Sequence, residues 1–250
     1  MPLVTTHATI LKTYEYSETS KILRLLTRDQ GLCSVIAKGA RRPRSRFGGL
    51  LEPFTDGVAT YYVKEGRDLH TLSGFELLRE RQALGNDLVR FAGAGILTEM
   101  AFRFAPSAAD PELHAQLRRG LDRLLSNGAG IEIVILEETW KLIVTLGFGP
   151  SVELCVQCGR PLAEGEDAQF NLIDGVMICH RCRPGAADLH LRSLGPATRT
   201  EFSELLAGNI RRPALRTTRA QFDLLREFIA YHLADQRPLN SLRFLEERLG

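Results

Sequence analysis

Cys155, Cys158, Cys179 and Cys182 form two Cys-x-x-Cys pairs in a chain of 250 residues that holds only five cysteines. Two such pairs supply the four thiolates that a structural Zn²⁺ takes when no coordination position is left open. The spacing therefore predicts a single closed site for one Zn²⁺. Gly159, directly after Cys158, suits the knuckle turn, because a residue without Cβ can take positive φ while backbone N–H groups point at sulfur. The competing reading is two intramolecular disulfides, which need an oxidising compartment. The opening MPLVTTHATI has neither the charged region nor the sustained apolar run of a secretory signal, so a cytoplasmic location is expected. His180 lies between Cys179 and Cys182, but neighbours in a knuckle rarely both face the metal, and it is expected to stay outside the ligand set.

A second constellation is the segment KGARRPRSRFGG. Lys38, Arg41, Arg42, Arg44 and Arg46 fall close together with no acid among them. Guanidinium forks suit phosphate, and the aromatic Phe47 that follows offers a face for a base. A solvated loop without a partner is the alternative; the Gly and Pro punctuation and the barrel inferred below favour DNA contact.

Motifs of catalysis are missing. There is no G-x-x-x-x-G-K-[ST] phosphate loop, no H-E-x-x-H, and no H-x-E ahead of the cysteines, so nucleotide hydrolysis, zinc hydrolysis and base deamination are excluded. The expectation is a protein that is not an enzyme and uses no nucleotide. Gly93 and Gly95 lie in a helical pattern and read as helix packing. Glu137–Glu138 and Glu246–Glu247 are helix neighbours expected on solvated faces.

The elements that must carry these groups follow from periodicity. Residues 1–79 hold five short β-type runs with turn signals at Asp29–Gly31 and Glu65–Gly66, which predicts a five-stranded OB-fold barrel, with an SH3-like barrel as the competing topology. Cys33 reads as a small buried apolar residue. Tyr61 and Tyr62, adjacent on one strand, must face opposite ways, so at most one is exposed.

From residue 80 the period turns helical. Leu84, Leu88, Phe91, Leu97 and Met100 mark one helix; Leu113, Leu117, Leu121 and Leu125 mark a second, opening at Asp110-Pro111; Ile131 to Leu146 gives a third, with Trp140 in the core. Helices resume near 196–206, 218–235 and 241–249. Phe222, Leu225, Phe228, Ile229 and Leu233 are the packing stripe of the second of these, with His232 semi-buried beside them. The fold class is thus α+β: an OB barrel (1–79), then a helical domain (80–151 and 189–250) interrupted by a zinc insertion (152–188). No run of about eighteen apolar residues exists, so no membrane contact is expected. The net charge of +2 hides a basic excess at both chain ends and an acidic middle.

YEYSETSKILRLLT, KGARRPRSRFGGLLEPF, LGFGPSVELCVQCG and the stretch from Phe170 through CHRC, in that order, resemble the RecO family of bacterial recombination mediators. The basic segment is the more specific half. Val176 departs from the family pattern, where many members carry a second glycine after Gly175. The resemblance implies binding of single- and double-stranded DNA, strand annealing, nucleoid association, and, with RecR, promotion of RecA loading onto DNA covered by single-strand-binding protein. It carries Lys38, Arg41, Arg42, Arg44 and Arg46 over as the family's basic loop. The leading alternative is a zinc-containing, sequence-specific DNA-binding regulator or scaffold, which would need a recognition helix rich in Arg, Asn or Gln.

Overall fold

The computed structural model describes residues 2–126, 130–163, 165–183, 190–210, 216–232 and 237–249. The chain divides into two compact units, 1–126 and 127–250. In the first, β1 (Leu3–Glu15), β2 (Lys21–Thr27), β3 (Gly31–Ala37), β4 (Asp56–Tyr62) and β5 (Leu69–Arg79) close into a barrel of order β1-β2-β3-β5-β4. The β3–β5 pair is parallel, and β1 closes the ring on β4. This is the OB-fold arrangement, and it sets the SH3-like topology aside.

Alternation fills the interior with Ile10, Leu23, Leu25, Val35 and Leu72. Tyr61 is inward and Tyr62 outward, as their adjacency on β4 requires. Gly31 turns β2 into β3 at φ +65°, and a Cβ there would lie 3.2 Å from the carbonyl oxygens of Ser107 and Ala108.

Two helices belong to the same unit: α1 (Leu88–Phe104) and α2 (Pro111–Arg123). Leu84 is not part of α1; it is buried in a preceding 3-10 turn, Gln82–Asn86, and Asp87 caps α1 by accepting from the N–H groups of Val89 and Arg90. The expected stripe holds at Leu97 and Met100, which are buried, and fails at its start. Leu88 and Phe91 are exposed, while Ala92, Gly93, Ala94, Ile96 and Leu97 are buried, because small residues let the helix approach closely. Asp110 caps α2 with Pro111 in its first turn, and Leu113, Leu117 and Leu121 are buried; Leu125 lies past the helix end, and its neighbour Leu124 is buried.

A charged network is buried in this unit. Arg81, with a side chain 0% exposed, donates to Asp56 (2.9 Å), Asp122 (2.8 Å) and the carbonyl of Phe54 (2.7 Å). Asp56 also accepts from Arg118 (2.6 Å) and from the Thr9 hydroxyl, which His114 meets at 3.3 Å. Burial pushes the Asp56 carboxyl up, but Arg81, Thr9 and Arg118 together bring it below the usual carboxylate range. Burial drives His114 down to about 4, which keeps it neutral. The Phe54 carbonyl that Arg81 holds belongs to the only non-glycine residue with positive φ (71°) among the described residues.

The second unit holds α3 (Ile131–Thr145), a four-stranded sheet of β6 (Ser151–Cys155), β7 (Ala168–Asn171), β8 (Val176–Cys179) and β9 (Leu191–Leu194), then α4 (Pro196–Ala207), α5 (Thr218–His232) and α6 (Asn240–Leu249). The sheet order is β6-β8-β7-β9. Trp140 is fully buried, with ring centroids of Phe202 at 4.9 Å and Phe228 at 5.2 Å. His232 is half-buried and meets the Leu172 carbonyl at 2.8 Å. Leu233 of the expected stripe lies outside the described residues.

Glu137 and Glu138 do not lie on a solvated face; both are buried, and Glu138 pairs with Lys141 at 2.9 Å. A helix hydrophobic nearly all round buries the acids that interrupt it. Glu246 pairs with Arg226 at 2.9 Å, and Glu247 is exposed.

Candidate nucleic-acid interface and metal centre

The basic segment is the connection between β3 and β4, built as successive tight turns. Arg42 N–H donates to the Gly39 carbonyl, Ser45 to Arg42, Gly48 to Ser45 and Leu50 to Phe47, at 2.8–3.2 Å. Gly39, Gly48 and Gly49 take the positive φ these reversals need. All five predicted cations are on the surface, on one loop.

They are not equivalent. Arg41 bends onto the β1–β2 loop, pairing with Glu15 at 3.2 Å and donating to the Ser17 carbonyl at 3.2 Å. Arg46 lies over the Phe47 ring, 4.9 Å from its centroid. Lys38, Arg42 and Arg44 have no ion pair among the described residues, so their charge faces solvent undiminished.

Phe47 itself corrects the sequence reading. It is only 2% exposed and belongs to the barrel core with Leu51, so it cannot offer a stacking face. The physical reason is the apolar pair that closes the segment, Phe47 and Leu51, which plugs the barrel and pins the loop. Exposed aromatic surface is nearby but elsewhere: Tyr14 and Tyr16, at the end of β1 and in the loop after it, are 38% and 61% exposed. Tyr-x-Tyr ahead of a Ser/Thr-rich turn was the available signal, and sequence reasoning did not read it chemically.

In the second unit β6 and β8 lie side by side and parallel, which brings the two Cys-x-x-Cys pairs together. The ligand atoms of Cys155, Cys158, Cys179 and Cys182 all lie within 4.8 Å of one another, and the Cys158 and Cys179 sulfurs are 3.9 Å apart. Sulfurs on a tetrahedral Zn²⁺ at ~2.3 Å are about 3.8 Å from each other, so the donor set fits that ion. All five cysteines are free thiols, which removes the disulfide reading. Gly159 has φ +70° and donates to the Cys155 carbonyl at 2.8 Å, as the knuckle turn requires.

The surroundings favour thiolate at Cys155 and Cys179. Burial pushes the Cys155 thiol up, but backbone N–H groups of Cys179, Cys158 and Gln157 bring it down to about 6. Burial likewise raises Cys179, and Arg160 and the Cys182 N–H reverse the effect. Cys182, donating to Cys158 and Cys179, is pushed up to about 12; a cation at the centre would displace that proton. His180 is not part of that cluster; its Nδ1 meets Glu166 at 2.7 Å, and the same carboxylate takes Arg160. Arg160 thus bridges Glu166 to a cysteine sulfur, and Arg199 donates to the carbonyls of Ala163 and Glu166.

No described helix is long and apolar enough to cross a membrane. The family model described as Recombination protein O N terminal matches residues 1–81, and that described as Recombination protein O C terminal matches residues 85–243. A protein named DNA repair protein RecO from Nocardioides sp. is 32% identical over 246 residues, covering 96% of this chain and 97% of its own. The proteins of that name from Rubrobacter xylanophilus and Desulforudis audaxviator are 33% identical over 186 residues (74% of each chain) and 32% identical over 249 residues (97% of this chain and 96% of theirs). With both halves matched by the paired models and relatives alike over nearly the full length, the chain belongs to the Recombination protein O (RecO) family.

Proposed function

We propose that this chain serves DNA repair as a non-enzymatic DNA-binding mediator. It binds single and double strands through phosphates, anneals complementary strands, and with RecR promotes RecA loading onto strands covered by single-strand-binding protein, in the cytoplasm at the nucleoid. In this reading the barrel of residues 1–79 makes the DNA contact, and 152–188 is the zinc insertion, where Cys155, Cys158, Cys179 and Cys182 hold one structural Zn²⁺.

The observation that carries the reading is the pinned loop on a closed barrel, presenting Lys38, Arg42 and Arg44 with no ion pair among the described residues, and Arg41 and Arg46 on the same loop. Annealing then needs no catalytic group. Two phosphate backbones repel, and a protein that neutralises both lowers the encounter barrier while base pairing supplies the driving force. The densest basic cluster is on a loop and not on a helix, which favours this reading over a sequence-specific regulator.

A strand-pairing assay tests it. The chain should accelerate annealing of bare and protein-covered strands without ATP and without cleavage, and the rate should fall steeply with salt. Equal rates with and without the chain at low salt, or a strict need for ATP, would reject it.

A further inference from the structure

The basic loop accounts for contacts that any nucleic-acid backbone would make, and the buried Phe47 leaves it without a base-recognising surface. The β1–β2 loop supplies one. Tyr16 is 61% exposed, the highest value among the exposed large apolar side chains of the described residues, and Tyr14 lies two residues earlier on the outward face of β1. The Lys12 ammonium sits 5.0 Å from the Tyr14 ring centroid and sets a cation beside it. The loop is held in shape: Tyr16 N–H donates to the Ser20 carbonyl at 3.1 Å, and Ser20 N–H to the Ser17 hydroxyl at 3.2 Å.

It is also tied to the basic loop at three points. The Arg41 N–H donates to the Thr19 carbonyl at 3.0 Å, and its guanidinium reaches the Ser17 carbonyl and the Glu15 carboxylate. The loop that carries Tyr16 is therefore joined to the basic loop at Arg41. Acids flank the rings: Glu15, the last residue of β1 and the partner of Arg41, and Glu18 in the loop, both exposed. A phosphate would be repelled there, whereas the uncharged face of a base would not. An aromatic ring stacks on any unpaired base, and a base inside a duplex presents no face to it.

Resting on the proposed DNA contact of the basic loop, we propose that Tyr16, with Tyr14, is a stacking site for unpaired nucleobases. The protein then reads the phosphates of either substrate with the β3–β4 loop and tells single strand from duplex with the β1–β2 loop.

The test is a binding titration of the full chain with three probes: oligothymidylate, an abasic strand of equal length, and a duplex of equal phosphate number, each at several salt concentrations. Tyr14→Ala/Tyr16→Ala should weaken oligothymidylate binding about tenfold, within the range for loss of a stacked base, with no change in salt slope. Abasic-strand and duplex affinity should not change, and Tyr16→Phe should bind as the parent does. Equal losses on duplex and oligothymidylate, or no loss on oligothymidylate, would overturn the stacking site. Tyr16→Trp gives a second readout against the buried Trp140. Its emission should be quenched by oligothymidylate and not by duplex, and unchanged emission at saturation would also sink the idea. The reading beneath it fails separately: there, Arg42→Glu/Arg44→Glu would bind both strand types as tightly as the parent.

Discussion

Replacing Asp56 with Ala should open the barrel unit far more readily, and the size of the effect follows from its partners. The carboxylate accepts from Arg81, Arg118 and Thr9, and Arg81 has no solvent to turn to. Breaking a buried ion pair by removing one member costs about 3–5 kcal/mol, because the other charge is left uncompensated. Arg81 keeps Asp122 and the Phe54 carbonyl, so the low end, about 3 kcal/mol, applies. Amide hydrogen exchange in β1 and β4 reads the opening free energy of this unit directly, and it should quicken about a hundredfold. The loss should depend on pH in a defined direction. The Asp56 contribution is present above the ordinary carboxylate range and disappears as pH falls through its lowered native value. His114 acts on the same side: the unfolded chain takes up a proton below pH 6.5, while the native chain refuses it until about 4. Stability therefore declines across that window by roughly 3 kcal/mol, and His114→Gln should flatten the decline. Exchange less than about fivefold faster in Asp56→Ala, corrected for intrinsic rates, would refute the argument.

Three further outcomes are expected. Lys38, Arg42 and Arg44, each meeting one phosphate, give a slope of log K against log salt of about −2 on a single strand, and Arg42→Glu/Arg44→Glu should remove most of it; an unchanged slope would place the contact elsewhere. Metal analysis should return one Zn²⁺ per chain, and stripping it or making Cys179→Ser should speed exchange in β6 and β8 while leaving duplex affinity intact; an iron–sulfur spectrum would contradict this. Gly57→Ala should lower the melting temperature markedly, since a Cβ there would come within 2.5 Å of the Glu76 carbonyl oxygen and the Phe75 ring, and the loss should be about 3 kcal/mol; a variant as stable as the parent would show that β5 yields.

The five strands and most helices were legible because their periods and turn residues are local signals. Asp110-Pro111 and Gly159 announce a helix start and a knuckle by chemistry that needs no tertiary context. The gathering of the four cysteines was legible for a similar reason, as two Cys-x-x-Cys pairs announce a shared centre by their spacing. The fate of single side chains was not. Phe47 reads as an exposed aromatic beside cations, and only closure of the barrel shows that it completes the core. Glu137 and Glu138 look solvated until α3 is seen to be surrounded. The Asp56–Arg81–Asp122 network joins residues far apart in sequence, and no periodicity marks a charge that will be buried. The four strands around the cysteines are too short, at four or five residues each, to stand out from the knuckles they support.

Since Phe47 is at once a core residue of the barrel and the pin of the basic loop, the loop's cations exist as an array only while the barrel is folded. Under the proposed function DNA is then a folding ligand: it binds the native state alone and stabilises it, by about 2.7 kcal/mol when present at a hundred times its dissociation constant. A lesion in the Asp56 network would be masked wherever DNA is plentiful and exposed wherever it is scarce. The barrel would be at its most fragile as newly made chain, before it meets its substrate.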